Sequence, residues 1–309
     1  MPKLAVIIPC FNEEAAIGRV VADFRAALPR AIVFVYDDNS TDRTAAAAAT
    51  AGAVVRDAGP HGGRHVVRRM FADVDADIYV LVDGDDTYDA AAAPKMVDML
   101  ASRGFDMVNG ARAPHGQPPP GRGRRLGDAM LNGVVARIFG TRLNDMPSGY
   151  RVFSRRFVKS FPARASGSET GTEFTLHALA LRIPIGEVRT SYRDRPEGSA
   201  SKRRAHSDRL RVPRAILMLV KNERPLQFFG LCAMLFLAAA LALGLPVVLE
   251  FTQAHVAPRL PAAILATGFV LLAIMALMCG LILDSVTRGR REVKLLAYLA
   301  IPPLPMDDV

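Results

Sequence analysis

The stretch Val80-Leu81-Val82-Asp83-Gly84-Asp85-Asp86 decides the fold of this chain. Its three apolar residues, preceded by Ile78 and Tyr79, predict a buried strand that ends abruptly in carboxylates. Carboxylates at the carboxyl end of a strand lie where α/β sheets bind ligands. Asp83 and Asp85 flank a glycine, so both can turn toward one divalent cation such as Mg²⁺ or Mn²⁺, which phosphate oxygens and water would also ligate. A solvated acidic turn is the alternative interpretation.

Strand-like runs alternate with helical periodicity around this stretch. The predicted strands cover residues 4–8, 32–36, 54–55, 78–82 and 107–108, and helical patterns follow each of the first four. Such alternation is typical of an α/β fold with a mostly parallel sheet covered on both faces. Polar residues follow three of these strands, at Asn12-Glu13, Asp37-Asp38 and Asp83-Asp85. Because the carboxyl ends of parallel strands share one edge, we expect these residues to meet in one crevice.

Residues 228–249 and 260–283 are apolar throughout and contain no charged residue. Each is long enough for a helix that crosses about 30 Å of hydrocarbon, and the short connection between them predicts a transmembrane hairpin. Buried core helices rarely stay uncharged for so long in adjacent pairs. Lys and Arg are abundant on both outer flanks, whereas the connection contains only Arg259. The positive-inside rule therefore predicts a multi-pass protein of the plasma (inner) membrane with both termini and the large amino-terminal domain in the cytoplasm.

The composition predicts four regions along the chain. They are an α/β domain over 1–204, a juxtamembrane amphipathic helix over 205–226, two transmembrane helices within 227–285 and a basic cytoplasmic tail over 286–309. The formal charge of +9 concentrates at 193–224 and 288–294, on both sides of the apolar region. This placement favours an anionic bilayer surface, and not nucleic acid, as the partner. The three cysteines have no paired spacing, so neither disulfides nor zinc is expected.

Several motifs in family order carry a resemblance to a known family. The motifs after the strands are Ile8-Pro9-Cys10-Phe11-Asn12-Glu13-Glu14, Asp37-Asp38-Asn39-Ser40-Thr41-Asp42 and Asp83-Gly84-Asp85. Together they resemble family 2 glycosyltransferases of the GT-A fold, which is Rossmann-like. Further motifs at 110–112, 148–155 and 195–202 are similar to the dolichol-phosphate mannose synthase and bacterial polyprenyl-phosphate glycosyltransferase group. The resemblance covers about residues 4 to 204.

The resemblance implies inverting transfer of a hexose from a nucleotide-sugar to a membrane polyprenyl phosphate such as undecaprenyl phosphate. A UDP-sugar is favoured because Asp83 to Tyr88 resembles the bacterial version of the motif, and a GDP-mannose-dependent synthase is the alternative. The chain contains no Trp, which argues against a processive polysaccharide synthase with its Gln-x-x-Arg-Trp signature. A non-catalytic membrane scaffold that binds a nucleotide-sugar is a further alternative. Homo-oligomerisation through the hairpin is also possible.

The resemblance also implies roles for individual residues. The nucleoside would be surrounded by Pro9, Phe11, Glu13, Tyr36 and Asp38. Of these, Asp38 would accept a hydrogen bond from the base and Tyr36 would lie along it. The diphosphate would lie beside Gly84, with Mg²⁺ or Mn²⁺ held by Asp83 and the catalytic Asp85 and with Thr87 near the metal.

Basic residues and one further carboxylate complete the implied site. Arg112, Arg195 and Lys202 would neutralise phosphates of the nucleotide or the lipid, unless they belong to a solvated basic face. Asp145 matches a carboxylate near the acceptor. It would orient the sugar or assist the phosphate as a catalytic residue, or else cap the turn that follows it.

The chain departs from the family pattern at two places. Members of the family often have Gly-Lys-Gly where this sequence has Gly62-Gly63-Arg64-His65, and Gly171 stands where a helix-forming residue is usual. A mid-helix glycine would cost about 1 kcal/mol relative to alanine. The Pro- and Gly-rich segment 113–125 is predicted as a loop, either a lid over the site or a surface connection.

Overall fold

The computed structural model describes residues 2–59, 66–113, 133, 135–137, 139–140, 145, 148–162, 170–193, 217–254 and 260–304. The strands are β1 (Leu4–Cys10), β2 (Ile32–Asp37), β3 (Val54–Asp57), β4 (Ile78–Leu81), β5 (Met107–Ala113), β6 (Arg151–Ser154) and β7 (Ile185–Ser191). The helices are α1 (Glu14–Ala27), α2 (Thr44–Thr50), α3 (Val66–Asp73), α4 (Ala93–Ser102), α5 (Arg155–Ser160), α6 (Thr170–Leu181), α7 (Pro225–Ala254) and α8 (Leu260–Leu299). A short 3₁₀ turn, Ala90–Ala92, leads into α4.

The strands form a seven-stranded sheet in the order β3-β2-β1-β4-β6-β5-β7. Pairing is parallel from β3 to β4 and between β5 and β7, whereas β6 runs antiparallel to both of its neighbours. Six strands therefore share one direction, which confirms the mostly parallel α/β sheet. Their carboxyl ends lie at one edge, the edge at which open α/β sheets bind ligands.

Alternate residues of the central strands point into two separate cores. Val80 and Val82 pack in one core with α1 and α4, while Tyr79 and Leu81 pack in the other with α3 and α5. Burial on both faces explains why the central strand is a continuous apolar run without polar alternation. The same alternation sends Tyr36 of β2 into the second core, where its side chain has no exposed surface.

Most local predictions agree with these elements, and several strands extend further than predicted. Gly171 lies in α6, and the residues that immediately precede this helix lie outside the described part of the chain. Several predicted features lie outside the described residues: the lid at 114–125, Gly62-Gly63-Arg64-His65, Arg195 and Lys202, and most of the juxtamembrane helix. Of that last segment, residues 217–223 are helical.

The chain divides into two compact units, one of residues 1–205 with 293–309 and the other of residues 206–292. In the second unit, α7 and α8 are long and apolar enough to cross a membrane, and few side chains in their apolar windows are buried. The two helices contact each other through the stacked rings of Phe236 and Phe269, and Arg291 of α8 forms an ion pair with Glu223, which precedes α7. Helix α8 runs to Leu299, so the first part of the predicted tail over 286–309 is helical.

The last turn of α8 packs within the first unit. The Tyr298 hydroxyl donates a hydrogen bond of 2.6 Å to Asp106, a buried carboxylate that precedes β5. Asp106 also accepts from Ser154 and from the Nε and Nη2 atoms of Arg156, whose guanidinium lies over the Tyr298 ring. These bonds neutralise a carboxylate that would otherwise be costly to bury.

His177 of α6 should make the stability of the protein depend on pH. Burial, with a smaller contribution from the charge of Lys294, lowers the pKa of His177 from its usual 6.5 to about 3. Between these values the folded protein binds fewer protons than the unfolded chain. The stability contributed by neutral His177 is therefore complete above pH 6.5 and is lost as the pH falls toward 3.

We expect the melting temperature of the detergent-solubilised protein to fall more between pH 7 and 5 than that of the His177→Gln variant, by at least about 2 °C. Thermal melts at both pH values measure this difference, and groups common to both proteins cancel. Equal decreases in the two proteins would contradict it.

Candidate active site

The site begins where the ends of β1 and β4 touch. A side chain at Gly84 would collide with the Cys10 thiol and press against Ile17 and Ile8. Only glycine therefore allows the turn after β4 to lie directly on the end of β1. This contact brings the Asp83–Asp85 turn beside Glu13.

Four carboxylates surround the end of β1. Burial raises the pKa of the Cys10 thiol well above its usual value, and the negative charges of four acidic residues raise it further. Those residues are Glu13, Asp37, Asp83 and Asp85. They come from the ends of three parallel strands, so the predicted convergence of these loops on one crevice is observed.

Hydrogen bonds join the loops after β1 and β2. The Asn12 amide donates to the Ser40 hydroxyl at 2.9 Å, and the Asn12 side chain accepts from the Thr41 amide at 2.8 Å. Asn12, Asn39 and Asp86 all have positive φ, at 53°, 59° and 55°. Each lies in a loop that follows β1, β2 or β4. Short polar side chains tolerate this conformation, and its concentration at one edge of the sheet is typical of a functional site.

The Asp83–Asp85 turn presents two different carboxylates. Asp83 is exposed, whereas Asp85 is only 4% exposed and accepts hydrogen bonds from the Thr87 amide at 3.3 Å and the Thr87 hydroxyl at 2.6 Å. Thr87 thus orients Asp85. Asp86 turns away to pair with Arg19.

Two carboxylates suit a cation whose remaining ligands come from a substrate. Among the residues described, no group of three or more His, Cys, Asp or Glu side chains is arranged to hold a metal ion. Mg²⁺ and Mn²⁺ commonly bind through one or two carboxylates plus substrate phosphates, so Asp83 and Asp85 fit such an ion. A closed structural metal site would need more protein ligands than these.

Arg112 and Asp145 form a bidentate ion pair. The Arg112 Nε and Nη2 atoms donate to the two Asp145 carboxylate oxygens at 2.7 and 2.8 Å, and the Arg112 amide donates to Oδ2 at 3.1 Å. The side chains are 23% and 12% exposed. These hydrogen bonds with Asp145 raise the pKa of Arg112. Asp145 is therefore a partner of a cation, not an isolated carboxylate.

Gly149 lies between the Asp83–Asp85 turn and the residues around the Arg112–Asp145 pair. A side chain at Gly149 would collide with the Asp83 carboxylate, and its amide donates to the Tyr88 hydroxyl at 2.9 Å. Tyr88 in turn forms a β-bridge with Tyr192, whose ring lies under the Arg112 guanidinium. The acidic turn and the Arg112–Asp145 pair thus border one region.

The comparison with protein families agrees with this geometry. Residues 5–161 match the family described as "Glycosyl transferase family 2". The chain belongs to glycosyl transferase family 2. The matched residues include β1 to β6, and with them the Asp83–Asp85 turn and Asp145.

Relatives and solved structures extend this family assignment. Glycosyltransferase AglJ of Haloferax volcanii is 30% identical over 291 residues, which cover 94% of this chain and 95% of the relative. Dolichyl-phosphate hexose transferase of the same organism is 29% identical over 192 residues, covering 62% of this chain and 83% of the relative. Glucosyl-3-phosphoglycerate synthase from Mycobacterium tuberculosis, solved with Mn²⁺, UDP and glucosyl-3-phosphoglycerate, has a TM-score of 0.56 and 23% identity over 71% of this chain and 79% of that chain. This structural likeness shows a GT-A fold.

The predicted nucleoside residues of this family 2 glycosyltransferase occupy two different environments. Glu13 and Asp38 lie buried at the crevice, and Pro9 and Phe11 are half-buried at the end of β1. Tyr36 differs, because its ring lies in the core and its hydroxyl donates to Asp73 and accepts from Arg56. That Tyr36 lies along a base stays a prediction.

Several residues that organise the site were not predicted from the sequence. Tyr88, Gly149, Tyr192 and Asn109 received no role. Tyr88 and Gly149 lie within the stretches examined, but their contacts join residues 61 positions apart. The placement of a glycine within Ser148-Gly149-Tyr150-Arg151 was a signal that a close approach was needed there.

Replacing Gly149 with alanine should weaken binding of Mn²⁺ and nucleotide. The new methyl group would force the Asp83 carboxylate away from its position, and displacing groups that orient a metal ligand commonly costs 10- to 100-fold in affinity. We expect an affinity loss of at least about tenfold, measured by calorimetric titration of UDP or GDP with Mn²⁺. Gly18→Ala in α1 is the matched control because nothing lies within 4 Å of its added methyl group. Equal affinities for the two variants would contradict the prediction.

Proposed function

We propose that this glycosyltransferase transfers a hexose from a nucleotide-sugar to a polyprenyl phosphate, with inversion and with a divalent metal. The contact between Asp83 and Gly149 supports this proposal most strongly. It brings the acidic turn, which would bind the cation, toward the residues around Arg112. The two helices that are long and apolar enough to cross a membrane support an acceptor in the bilayer, and one relative is a dolichyl-phosphate hexose transferase. We favour a UDP-hexose, because Asp83 to Tyr88 resembles the bacterial form of the motif, and undecaprenyl phosphate as acceptor.

The donor would bind across the carboxyl edge of the sheet. Glu13 and Asp38 would line the nucleoside end, with Pro9 and Phe11 beside them. Asp83 and Asp85 would hold Mg²⁺ or Mn²⁺ at the diphosphate, next to Gly84. When bound, the metal supplies positive charge where the leaving diphosphate becomes more negative.

The acceptor needs little activation by the protein. A phosphate monoester has a second pKa of about 6, so most of it is already doubly charged at neutral pH. One of its oxygens would attack the anomeric carbon while the bond to the diphosphate breaks, and the diphosphate would take the electron pair. A single displacement inverts the anomeric configuration. The task of the protein is then to position both substrates and stabilise charge.

The Arg112–Asp145 pair would serve the charged substrates. The Arg112 guanidinium is connected to the acidic turn by contacts through Tyr192, Tyr88 and Gly149. Its positive charge would attract a phosphate of the donor or the acceptor. Asp145 accepts three hydrogen bonds from Arg112, a placement that suits orientation of the guanidinium better than proton abstraction. Arg195 and Lys202 would add further positive charge.

The proposed topology follows from the charge pattern. The α/β domain over 1–204 and both termini would lie in the cytoplasm, the juxtamembrane segment 205–226 on the inner surface of the plasma membrane, the hairpin within 227–285 across it and the basic tail 286–309 inside. Cysteine substitution at Thr252 and at Asp98, followed by labelling of intact cells with a membrane-impermeant maleimide, tests this orientation. Labelling at residue 98 but not at residue 252 would overturn it.

Lipid-linked sugar formation tests the reaction. The full chain in detergent would receive undecaprenyl phosphate, Mn²⁺ and one sugar at a time from a panel of UDP- and GDP-sugars, with products identified by mass. We expect product from one UDP-hexose and none without acceptor. Product from GDP-mannose alone would establish the alternative donor. Nucleotide binding without product from any donor would reject transfer to this lipid and favour a scaffold.

A further inference from the structure

Three polar residues lie in register across the neighbouring strands β6, β5 and β7. Asn109 of β5 pairs with Arg151 of β6 on one side and with Glu187 of β7 on the other. Residues paired in this way place their side chains on one face of a sheet. Asn109 is 1% exposed and Arg151 has no exposed surface. We call Arg151, Asn109 and Glu187 the polar row.

Two residues of the polar row donate hydrogen bonds to the backbone carbonyls of Asp145 and Ser148. Asn109 Nδ2 donates to the Asp145 carbonyl oxygen at 2.7 Å and to Glu187 Oε1 at 3.2 Å. Arg151 Nε donates to the Ser148 carbonyl oxygen at 3.0 Å. The main chain is therefore anchored at Asp145 by a side chain of β5 and at Ser148 by a side chain of β6.

Packing alone does not account for these residues. Burial lowers the pKa of Arg151 to about 10, and nearby Asp145, Tyr88 and Glu187 offset only part of this cost. Apolar residues of similar volume are often as stabilising as a buried charge or more so. Directed donors, however, are what apolar residues cannot supply, and here the donors point at the carbonyls of Asp145 and Ser148.

We propose that Asn109 is a positioning residue that fixes Asp145, so that Asp145 in turn fixes the Arg112 guanidinium at the reacting phosphates. Asn109 is 1% exposed, so it would act through Asp145 and not on the substrate directly. The chain of contacts runs from Asn109 to the Asp145 carbonyl, and from the Asp145 carboxylate to Arg112. The kinetic consequence rests on the proposed function, whereas the geometric consequence does not.

Hydrogen exchange tests the geometry without any turnover. The Arg112 amide donates to Asp145 Oδ2, so its exchange rate reports the position of that carboxylate. Measured at single-residue resolution on the full chain in detergent, this rate should rise at least about tenfold in Asn109→Ala and in Asp145→Ala. Ser160→Ala is the matched control, because it also removes a buried hydrogen bond to a backbone carbonyl but lies far along the chain in α5. In Ser160→Ala, the Arg112 amide should exchange at the wild-type rate.

A double-mutant cycle tests the kinetics. Asn109→Ala should lower kcat for lipid-linked sugar at least about tenfold, with nucleotide affinity within about twofold of wild type. In an Asp145→Ala background the same change should have less than about a twofold effect, because the residue to be positioned is already gone. Asn109→Asp, which keeps the shape but loses the donor, should behave like Asn109→Ala.

Two results would overturn the proposal. One is an unchanged hydrogen-exchange rate of the Arg112 amide in the folded Asn109→Ala and Asn109→Asp variants. The other is a set of kcat effects that simply multiply, which would mean a general structural role. If the wild type makes no lipid-linked sugar, the proposed function fails, and the exchange rates still decide the positioning role.

Discussion

Replacing Asp85 with alanine is expected to lower kcat for sugar transfer by about a thousandfold or more while the protein stays folded. Asp85 is buried at the turn after β4, and Thr87 fixes its orientation through two hydrogen bonds. A metal held there would lose one of its two protein carboxylates. The diphosphate would then leave without the charge that stabilises it. Initial rates of lipid-linked sugar formation at saturating Mn²⁺ measure the loss.

Asp98→Ala supplies the matched control for this experiment. Asp98 is an exposed aspartate of α4, so its replacement removes the same charge from the same domain. We expect its kcat within about twofold of wild type, because surface substitutions away from special features have small effects. The metal role of Asp85 would be excluded if Asp85→Ala retained more than a tenth of wild-type kcat. A common loss in both variants would indicate a net-charge effect.

Replacing Arg112 with alanine should produce the second-largest effect, a loss of about a hundredfold in kcat. Its guanidinium lies over the ring of Tyr192, which bridges to Tyr88, and is held by a bidentate pair with Asp145. Arg112→Lys should recover only part of the activity, because an ammonium group cannot make the two parallel bonds of a guanidinium. Steady-state kinetics with each substrate varied in turn will show whether the loss falls on the donor or the acceptor.

A second variant separates the charge of Arg112 from its effect on folding. Arg112→Ala leaves the Asp145 carboxylate, which is 12% exposed, without its cation. Adding Asp145→Asn should therefore restore melting temperature but not activity. Arg103→Ala, at an exposed position after α4, is the matched control and should be close to wild type. Recovery of activity in the double variant would show that Arg112 serves only to neutralise Asp145.

Much of the fold is readable from local pattern. Central strands such as β1 and β4 are buried on both faces, so their sequences are continuous apolar runs bounded by polar turns. The long uncharged segments near residues 228–249 and 260–283 correspond to helices α7 and α8. Helix α8 continues to Leu299, beyond its apolar part, because charged residues are as compatible with a helix as apolar ones.

The carboxylates of the candidate site could also be predicted from the sequence. Residues that follow parallel strands must meet at one edge, so Asp37, Asp83 and Asp85 could be grouped before any contact was known. The direction of the Tyr36 side chain is not given by this reasoning. Tyr36 is one residue before Asp37, but the strand alternates, so its ring points into the second core while the polar residues after it reach the crevice.

By itself the sequence determined the parallel α/β sheet, the two apolar helices and the identity of the acidic turn, because each depends on periodicity or on residues close together along the chain. Only the tertiary structure decided which side chains are partners. Arg112 and Asp145 are 33 residues apart, and Asn109 and Glu187 are 78 apart. Such contacts depend on strand order and register, which local patterns leave open. Tertiary packing therefore assigned Asp145 to Arg112, Gly149 to Asp83 and Asn109 to the backbone of Asp145.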